Sequence, residues 1–164
     1  MLSCKRGDLH ESNGRPASWM TLEVVSMGTL SRLYASLRKS DAKKELARQF
    51  GLTDVEIMAN WLHAFSNLRN CCAHHSRVWD RRYTVQIKLP YNTLYHFIDR
   101  GMIYRIRQNK LFPLLSCIKY ICDIISPGND FGKKLNELLF NAGTLVSFDK
   151  MGFPKKWDCL PIWK

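Results

Sequence analysis

An all-α fold, a helical bundle with one extended segment, is what this sequence predicts, on three observations. Apolar residues recur at the 3.6-residue helical period along several stretches, capping residues stand where those stretches begin and end, and only Tyr83 to Leu89 alternates at the period of a strand. A chain of 164 residues suits one domain whose core stands without disulfides or metal. That domain is expected over 18–164, behind a polar leader, 1–17, which need not be ordered.

Trp19, Leu22, Leu30, Leu33 and Leu37 recur at helical spacing and predict a first helix from about Ser18 to Lys39. Glu23 falls inside that apolar stripe, between Leu30 and Tyr34 in projection, so its carboxylate needs a partner. Ser40 and Asp41 open a short basic helix to Phe50, and Gly51 suits the left-handed residue that ends it. Thr53 and Glu56 match a capping box and set the phase of the next helix.

That helix carries Ile57, Met58, Trp61, Leu62, Phe65, Leu68 and Cys72 on one apolar arc. Roughly opposite runs a second row, Asn60, His63, Asn67, Asn70 and His74, spaced three, four, three, four. Amides and imidazoles without Lys or Glu suit a groove or a subunit contact better than ordinary solvated surface. Tyr83, Val85, Ile87 and Leu89 then predict an extended segment, about 83–89, packed across the helices. Short helices are open around Asn92 to Asp99. An apolar helix follows from about Leu111 to Ile125, stopped by Ser126-Pro127-Gly128, and Asn129 or Asp130 can cap a last helix to about Asn141. The tail holds Phe153, Trp157 and Trp163, which predict an ordered extended arm folded back on the bundle.

Lys and Arg number 25 against 14 Asp and Glu, a formal charge of +11, which favours polyanions, nucleic acid first. A merely solvated basic surface remains the plainer alternative. The N-terminus has no apolar core of signal-peptide type, and Lys119 and Asp123 interrupt the most apolar stretch, so a soluble cytoplasmic protein with no membrane partner is expected. The six cysteines (Cys4, Cys71, Cys72, Cys117, Cys122, Cys159) show no C-x-x-C pair and read as buried thiols. Cys71, Cys72, His74 and His75 are too tightly spaced on one helix to surround a tetrahedral ion, so no metal and no cofactor is expected.

The chemistry concentrates in Arg69-Asn70-Cys71-Cys72-Ala73-His74-His75. Arginine grips phosphate at any working pH, and histidine carries a proton near neutrality. Arg69 projects at the margin of the apolar arc, where Glu23 can pair with it, either as a purely structural tie or to orient it toward a phosphate. His74 belongs to the polar row with His63 and Asn67. His75 projects toward Ile57 and Leu68, so it is expected packed inside, and His74 is favoured as the proton carrier. Arg77, Arg81 and Arg82, with Trp79 among them, suit single-stranded RNA through phosphate contacts and a stacking face. A basic loop that complements the helix dipole is an equal reading.

Leu68-Arg69-Asn70-Cys71-Cys72-Ala73-His74-His75-Ser76-Arg77-Val78-Trp79-Asp80-Arg81 closely resembles the signature of the Abi-like proteins, the AbiD/AbiF abortive-infection family of bacteria. Trp19-Met20-Thr21-Leu22-Glu23-Val24 with Gly28-Thr29-Leu30-Ser31 and Tyr34 agrees with it. So does Met151-Gly152-Phe153-Pro154 with Trp157 and Pro161-Ile162-Trp163. That family is grouped with the HEPN superfamily, whose Arg, polar residue and His at R-x4–6-H spacing are matched by Arg69, Asn70 and His74. The resemblance implies a HEPN-like bundle that forms a homodimer with two motifs in one cleft, and metal-independent RNA cleavage in defence against phage. It also implies that this chain represents the family's C-terminal portion. Catalysis would then fall to Arg69, Asn70 and His74, supported by Glu23, His75, His63 and Asn67, with any antitoxin or small-RNA partner unspecified. Two other readings stand beside it: a non-catalytic RNA- or nucleotide-binding module, and a purely structural helical dimer.

Overall fold

The computed structural model describes residues 18–164, so the polar leader, Cys4 and the side chain of Trp19 lie outside the described residues. The described residues form an all-α fold: α1 (Ser18–Val24), α2 (Met27–Ser36), α3 (Asp41–Gln49), α4 (Val55–Ala73), α5 (Arg100–Ile103), α6 (Leu111–Ile125), α7 (Phe131–Ala142) and α8 (Phe148–Met151). A short 3-10 turn at Gly143–Leu145 lies between α7 and α8, and two more follow α8 at Trp157–Cys159 and Pro161–Trp163. No strand forms among the described residues, and an isolated β-bridge joins Leu52 to Thr93.

The expected first helix is two helices. Ser26 breaks it with an extended backbone (φ −66°, ψ 153°), and its hydroxyl accepts a hydrogen bond from the Thr29 N–H at 3.1 Å. Serine competes with helix backbone and gains more as a cap than as an interior residue. The break resets the phase, so Glu23 leaves the stripe of Leu30 and Tyr34 and lies exposed. Beyond α2, the buried Lys43 of α3 closes the helix end, its Nζ donating to the Ala35 and Leu37 carbonyls at 3.3 and 3.0 Å, 4.9 Å from the centre of the Tyr34 ring.

α3 starts at Ser40, whose hydroxyl accepts from the Lys43 N–H. It ends in a Schellman motif: the Gly51 N–H donates to the Arg48 carbonyl at 2.7 Å and the Leu52 N–H to the Ala47 carbonyl at 3.0 Å. Gly51 has φ +65°, and a Cβ there would lie 2.4 Å from the Tyr120 hydroxyl and 2.8 Å from the Tyr95 ring. Gly51→Ala should therefore cost about 2–4 kcal/mol, left-handed strain plus overpacking, read as a lower urea midpoint. A change under about 0.5 kcal/mol would show that the junction of Gly51, Tyr95 and Tyr120 is slack.

The cap of α4 is one residue later than the Thr53 capping box predicts. Asp54 is the cap, accepting from the Glu56 N–H at 2.8 Å, because a carboxylate at that position reaches the free amide directly. Met58, Trp61, Ala64 and Leu68 bury the apolar arc of α4 against α6, whose Phe112, Leu114, Cys117 and Tyr120 are almost fully buried. α2 lies along another side of α4, where Gly28 sits so close to Ser66 that a Cβ would come within 3.3 Å of its hydroxyl.

Segment 83–89 lies across the helices and forms no strand; it bends at Thr84–Val85 instead of running extended throughout. The Tyr83 and Ile87 N–H groups donate to the Asn109 and Gln108 carbonyls. The segment runs back along α4: Tyr83 lies beside Cys71 and Cys72, while Asn60 bonds the Gln86 carbonyl at 3.0 Å and the Lys88 N–H at 2.7 Å.

No helix forms over Asn92 to Asp99, where Thr93 pairs with Leu52 and Phe97 and Ile98 are drawn into the core instead. At α7, the Asn129 side chain, rather than that of Asp130, accepts the Phe131 N–H at 3.1 Å. The tail is ordered but not extended. It folds through 3-10 turns, with Phe153 packed at a tilt against Phe112 (4.8 Å) and Trp157 edge-on to Trp163 (5.2 Å), while Trp163 Nε1 donates to Ser116 Oγ at 3.2 Å. Packing three rings on one face of α6 needs the chain to turn, which an extended arm cannot do.

Candidate functional site

α4 stops at Ala73, and His74 is its C-cap, with its N–H donating to the Asn70 carbonyl at 3.0 Å. His75 then adopts φ +52°, its N–H donating to the Cys72 carbonyl at 3.1 Å and the Ser76 N–H to the Cys71 carbonyl at 2.9 Å. This is the motif that ends α3 at Gly51, built here with a histidine. An L-residue in the left-handed region costs roughly 1–2 kcal/mol, although histidine enters it more often than most.

The expectation that His75 packs toward Ile57 and Leu68 is thus corrected: it is exposed, because the helix ends before it and the helical projection no longer applies. His75→Gly should raise stability by about 1 kcal/mol, a few degrees in Tm, by relieving that backbone. A lower Tm would mean that the imidazole itself holds the turn.

Arg69 lies at the margin of the apolar arc, where its stem lines an apolar groove of about 430 Å³ with Met27, Phe65, Leu68, Ile118 and Ile121. Its exposed guanidinium does not meet Glu23; among the described residues neither enters an ion pair. The broken first helix is the reason, since Glu23 now belongs to α1 and not to the packed face of α2. Arg69 Nη1 instead donates to Asn70 Oδ1 at 3.3 Å. With Oδ1 engaged, the Asn70 amide N–H groups and the remaining guanidinium donors are left to meet an anion.

The polar row is not uniform. Asn60 is spent on the extended segment, whereas His63, Asn70 and His74 are exposed and Asn67, half-buried, donates to the His63 carbonyl at 3.0 Å. α2 occupies one flank of this row through Gly28 and Ser66, and the extended segment the other through Asn60. What remains is a polar strip, open to solvent, that ends at Asn70 and His74.

The basic loop after the motif is pinned by its apolar and acidic members. Asp80 pairs with the buried Lys110 at 3.6 Å, and Tyr83 donates its hydroxyl to the Val78 carbonyl at 3.1 Å, burial pushing that hydroxyl's pKa well up. Arg77, Arg81 and Arg82 are left exposed. Trp79 is half-buried, and the Arg77 guanidinium lies 5.7 Å from the centre of its ring, so that stacking face is already taken. Gly152 packs against Lys110, where a Cβ would come within 2.6 Å of that side chain, so the C-terminal turn supports the residue that holds Asp80.

The thiols differ from expectation. Cys117 is buried, and burial pushes its pKa well above that of a free thiol, but Cys72 and Cys159 are exposed. Cys72 lies in the last turn of α4, on the open groove it lines with Ile118 and Ile121 of α6. Among the described residues no group of three or more His, Cys, Asp or Glu is placed to hold a metal ion.

A phosphate at this site meets the C-terminal end of α4, the negative end of the helix dipole. Side chains must therefore supply the attraction, which Arg69, Arg77, Arg81 and Arg82 can do. Asn60, Asp80 and Lys110, which set the walls and the loop, were not singled out for these positioning roles by sequence. The available signal was Asp80, a lone acid among arginines, and Asn60, an amide facing no charged neighbour.

Residues 5–80 match the family model described as Abi-like protein. The match begins within the polar leader and ends at Asp80, so it takes in the whole Arg69 to His75 motif, while the C-terminal block lies beyond it. No curated protein and no solved structure gives a match. No helix among the described residues is long and apolar enough to cross a membrane.

Proposed function

We propose, from the match of residues 5–80 to the Abi-like family model, that this chain is a metal-independent endoribonuclease of the abortive-infection type, acting at a site shared by two copies. The observation that carries the proposal is that Arg69, Asn70 and His74 stand exposed at one helix end, and that Arg69 enters no ion pair among the described residues. A guanidinium that holds no carboxylate is available to a phosphate.

In this reading one His74 takes the proton of the RNA 2′-hydroxyl as that oxygen bonds to phosphorus. The bond from phosphorus to the 5′-oxygen breaks, and His74 of the second copy protonates the leaving oxygen. Arg69 and the Asn70 amide stabilise the charge that builds on the phosphorane. The products are a 2′,3′-cyclic phosphate and a 5′-hydroxyl. His63 and Asn67 line the approach, and the exposed strip they belong to is the surface a second copy would cover. His75, exposed beside His74, is a second source of a proton.

Cleavage should persist in EDTA, stop when the nucleotide before the cut carries 2′-deoxyribose, and vanish in Arg69→Ala. That variant should unfold within about 0.5 kcal/mol of the parent, as an exposed residue does. Loss of about 2 kcal/mol or more with cleavage intact would instead support a structural role for Arg69. The binding-only reading draws on the +11 charge and the exposed Arg77, Arg81 and Arg82; salt-sensitive RNA affinity with substrate intact after long incubation would select it.

A further inference from the structure

The extended segment presents an outward face that neither the core nor the motif uses. Tyr83, Ile87 and Leu89 are buried, while Arg82, Gln86 and Lys88 are exposed. The face is held in place rather than loose, because Asn60 bonds both the Gln86 carbonyl and the Lys88 N–H and Trp61 Nε1 donates to the Lys88 carbonyl at 2.8 Å. Just beyond it, Tyr91 and Tyr104 leave 51% and 78% of their surface in water, although their rings pack together, 5.7 Å apart and inclined by 39°. Arg100 fixes this corner by donating from Nε to the Tyr91 carbonyl at 3.1 Å and from its other end to Asn92. Among the described residues, Arg82, Lys88 and the exposed Arg105 enter no ion pair.

We propose that this face is a track for single-stranded RNA, in which Arg82, Gln86 and Lys88 contact the backbone and the Tyr91–Tyr104 pair stacks an unpaired base. The inference rests on the RNA reading above and adds to it a substrate form and a path. Gln86 and Lys88, two residues apart beyond the bend, hold outward side chains about 7 Å apart, close to the spacing of successive phosphates in a stretched single strand. Two large aromatic rings beside free cations match the stacking and charge by which unpaired bases are held. Because the segment runs along α4, a strand seated on the tyrosines and followed past Lys88 and Arg82 arrives at the helix end that carries Arg69 and His74. A double helix is too stiff to present a base to the tyrosines, so the track selects against duplex.

The test is fluorescence anisotropy with a labelled 2′-O-methyl RNA, which cannot be cut, against full-length protein, its Tyr91→Ala/Tyr104→Ala variant and its Arg82→Gln/Lys88→Gln variant. Unchanged melting curves check that each is folded. The tyrosine variant should bind the single strand about 10- to 100-fold more weakly. The charge variant should lower the salt slope by about 1.4, two contacts at about 0.7 each. Parent and variants binding the single strand alike would overturn the track while leaving the RNA reading standing. Equal affinity for duplex and single strand, or equal displacement by polyglutamate from parent and tyrosine variant, would also overturn it, leaving a general polyanion surface. No binding by the parent at low salt would overturn the track and the RNA reading together.

Discussion

His74→Ala should lower RNA cleavage by about 10²–10⁴-fold, the usual contribution of a positioned acid or base, without disturbing the fold. His74 is exposed, and its one tie to the helix is the backbone bond from its N–H to the Asn70 carbonyl, which alanine retains. Melting temperature and oligomeric state should therefore match the parent. The outcome separates His74 from its neighbour: if cleavage survives in His74→Ala and disappears in His75→Ala, the proton belongs to the residue in the left-handed turn. His75→Gly then provides a control, because it removes the imidazole while relaxing the backbone. If neither histidine matters to cleavage by clean protein, the nuclease assignment fails at its centre.

Trp61→Ala should cost about 3–5 kcal/mol, the range for emptying a buried aromatic site. Against a typical total of about 5–15 kcal/mol, that loss brings the protein near the edge of folding. Trp61 is fully buried, with Phe65, Phe97 and Tyr120 around it at 5.7–6.2 Å between ring centres. Its Nε1 also holds the Lys88 carbonyl. Trp61→Phe isolates that second role. It keeps most of the burial and drops the hydrogen bond, so stability should fall by about 1–3 kcal/mol. Urea denaturation of both variants measures the two contributions, and a Trp61→Ala loss below about 1 kcal/mol would show that the α4–α6 contact is not the centre of the core.

Much of the fold is legible along the chain because it is governed by neighbours a few residues apart. The apolar arc of α4 and the buried stretch of α6 follow from periodicity, the Gly51 stop from its left-handed backbone, and the path of 83–89 from alternation. Where two local signals compete, the outcome is less legible. The apolar stripe from Leu22 to Leu37 favours one helix, yet Ser26 with Thr29 three residues on favours a new start, and the cap prevails. At Thr53 and Asp54, two good caps stand side by side, and the carboxylate takes the amide.

The candidate site divides in the same way. By itself the sequence determined that Arg69, Asn70 and His74 occur on one helix beside a basic loop, and that Arg69 sits at the edge of the apolar arc, because helical spacing sets those relations. Only the tertiary structure decided which of these residues are free. Glu23 lost its place near Arg69 when the first helix broke, and Asn60 left the polar strip to hold the extended segment. His75 turned outward where the helix ended, and Asp80 was drawn to Lys110. Each outcome depends on a hydrogen bond, a charge or a chain end brought close by folding, and periodicity along one helix carries no information about what arrives from elsewhere in the chain.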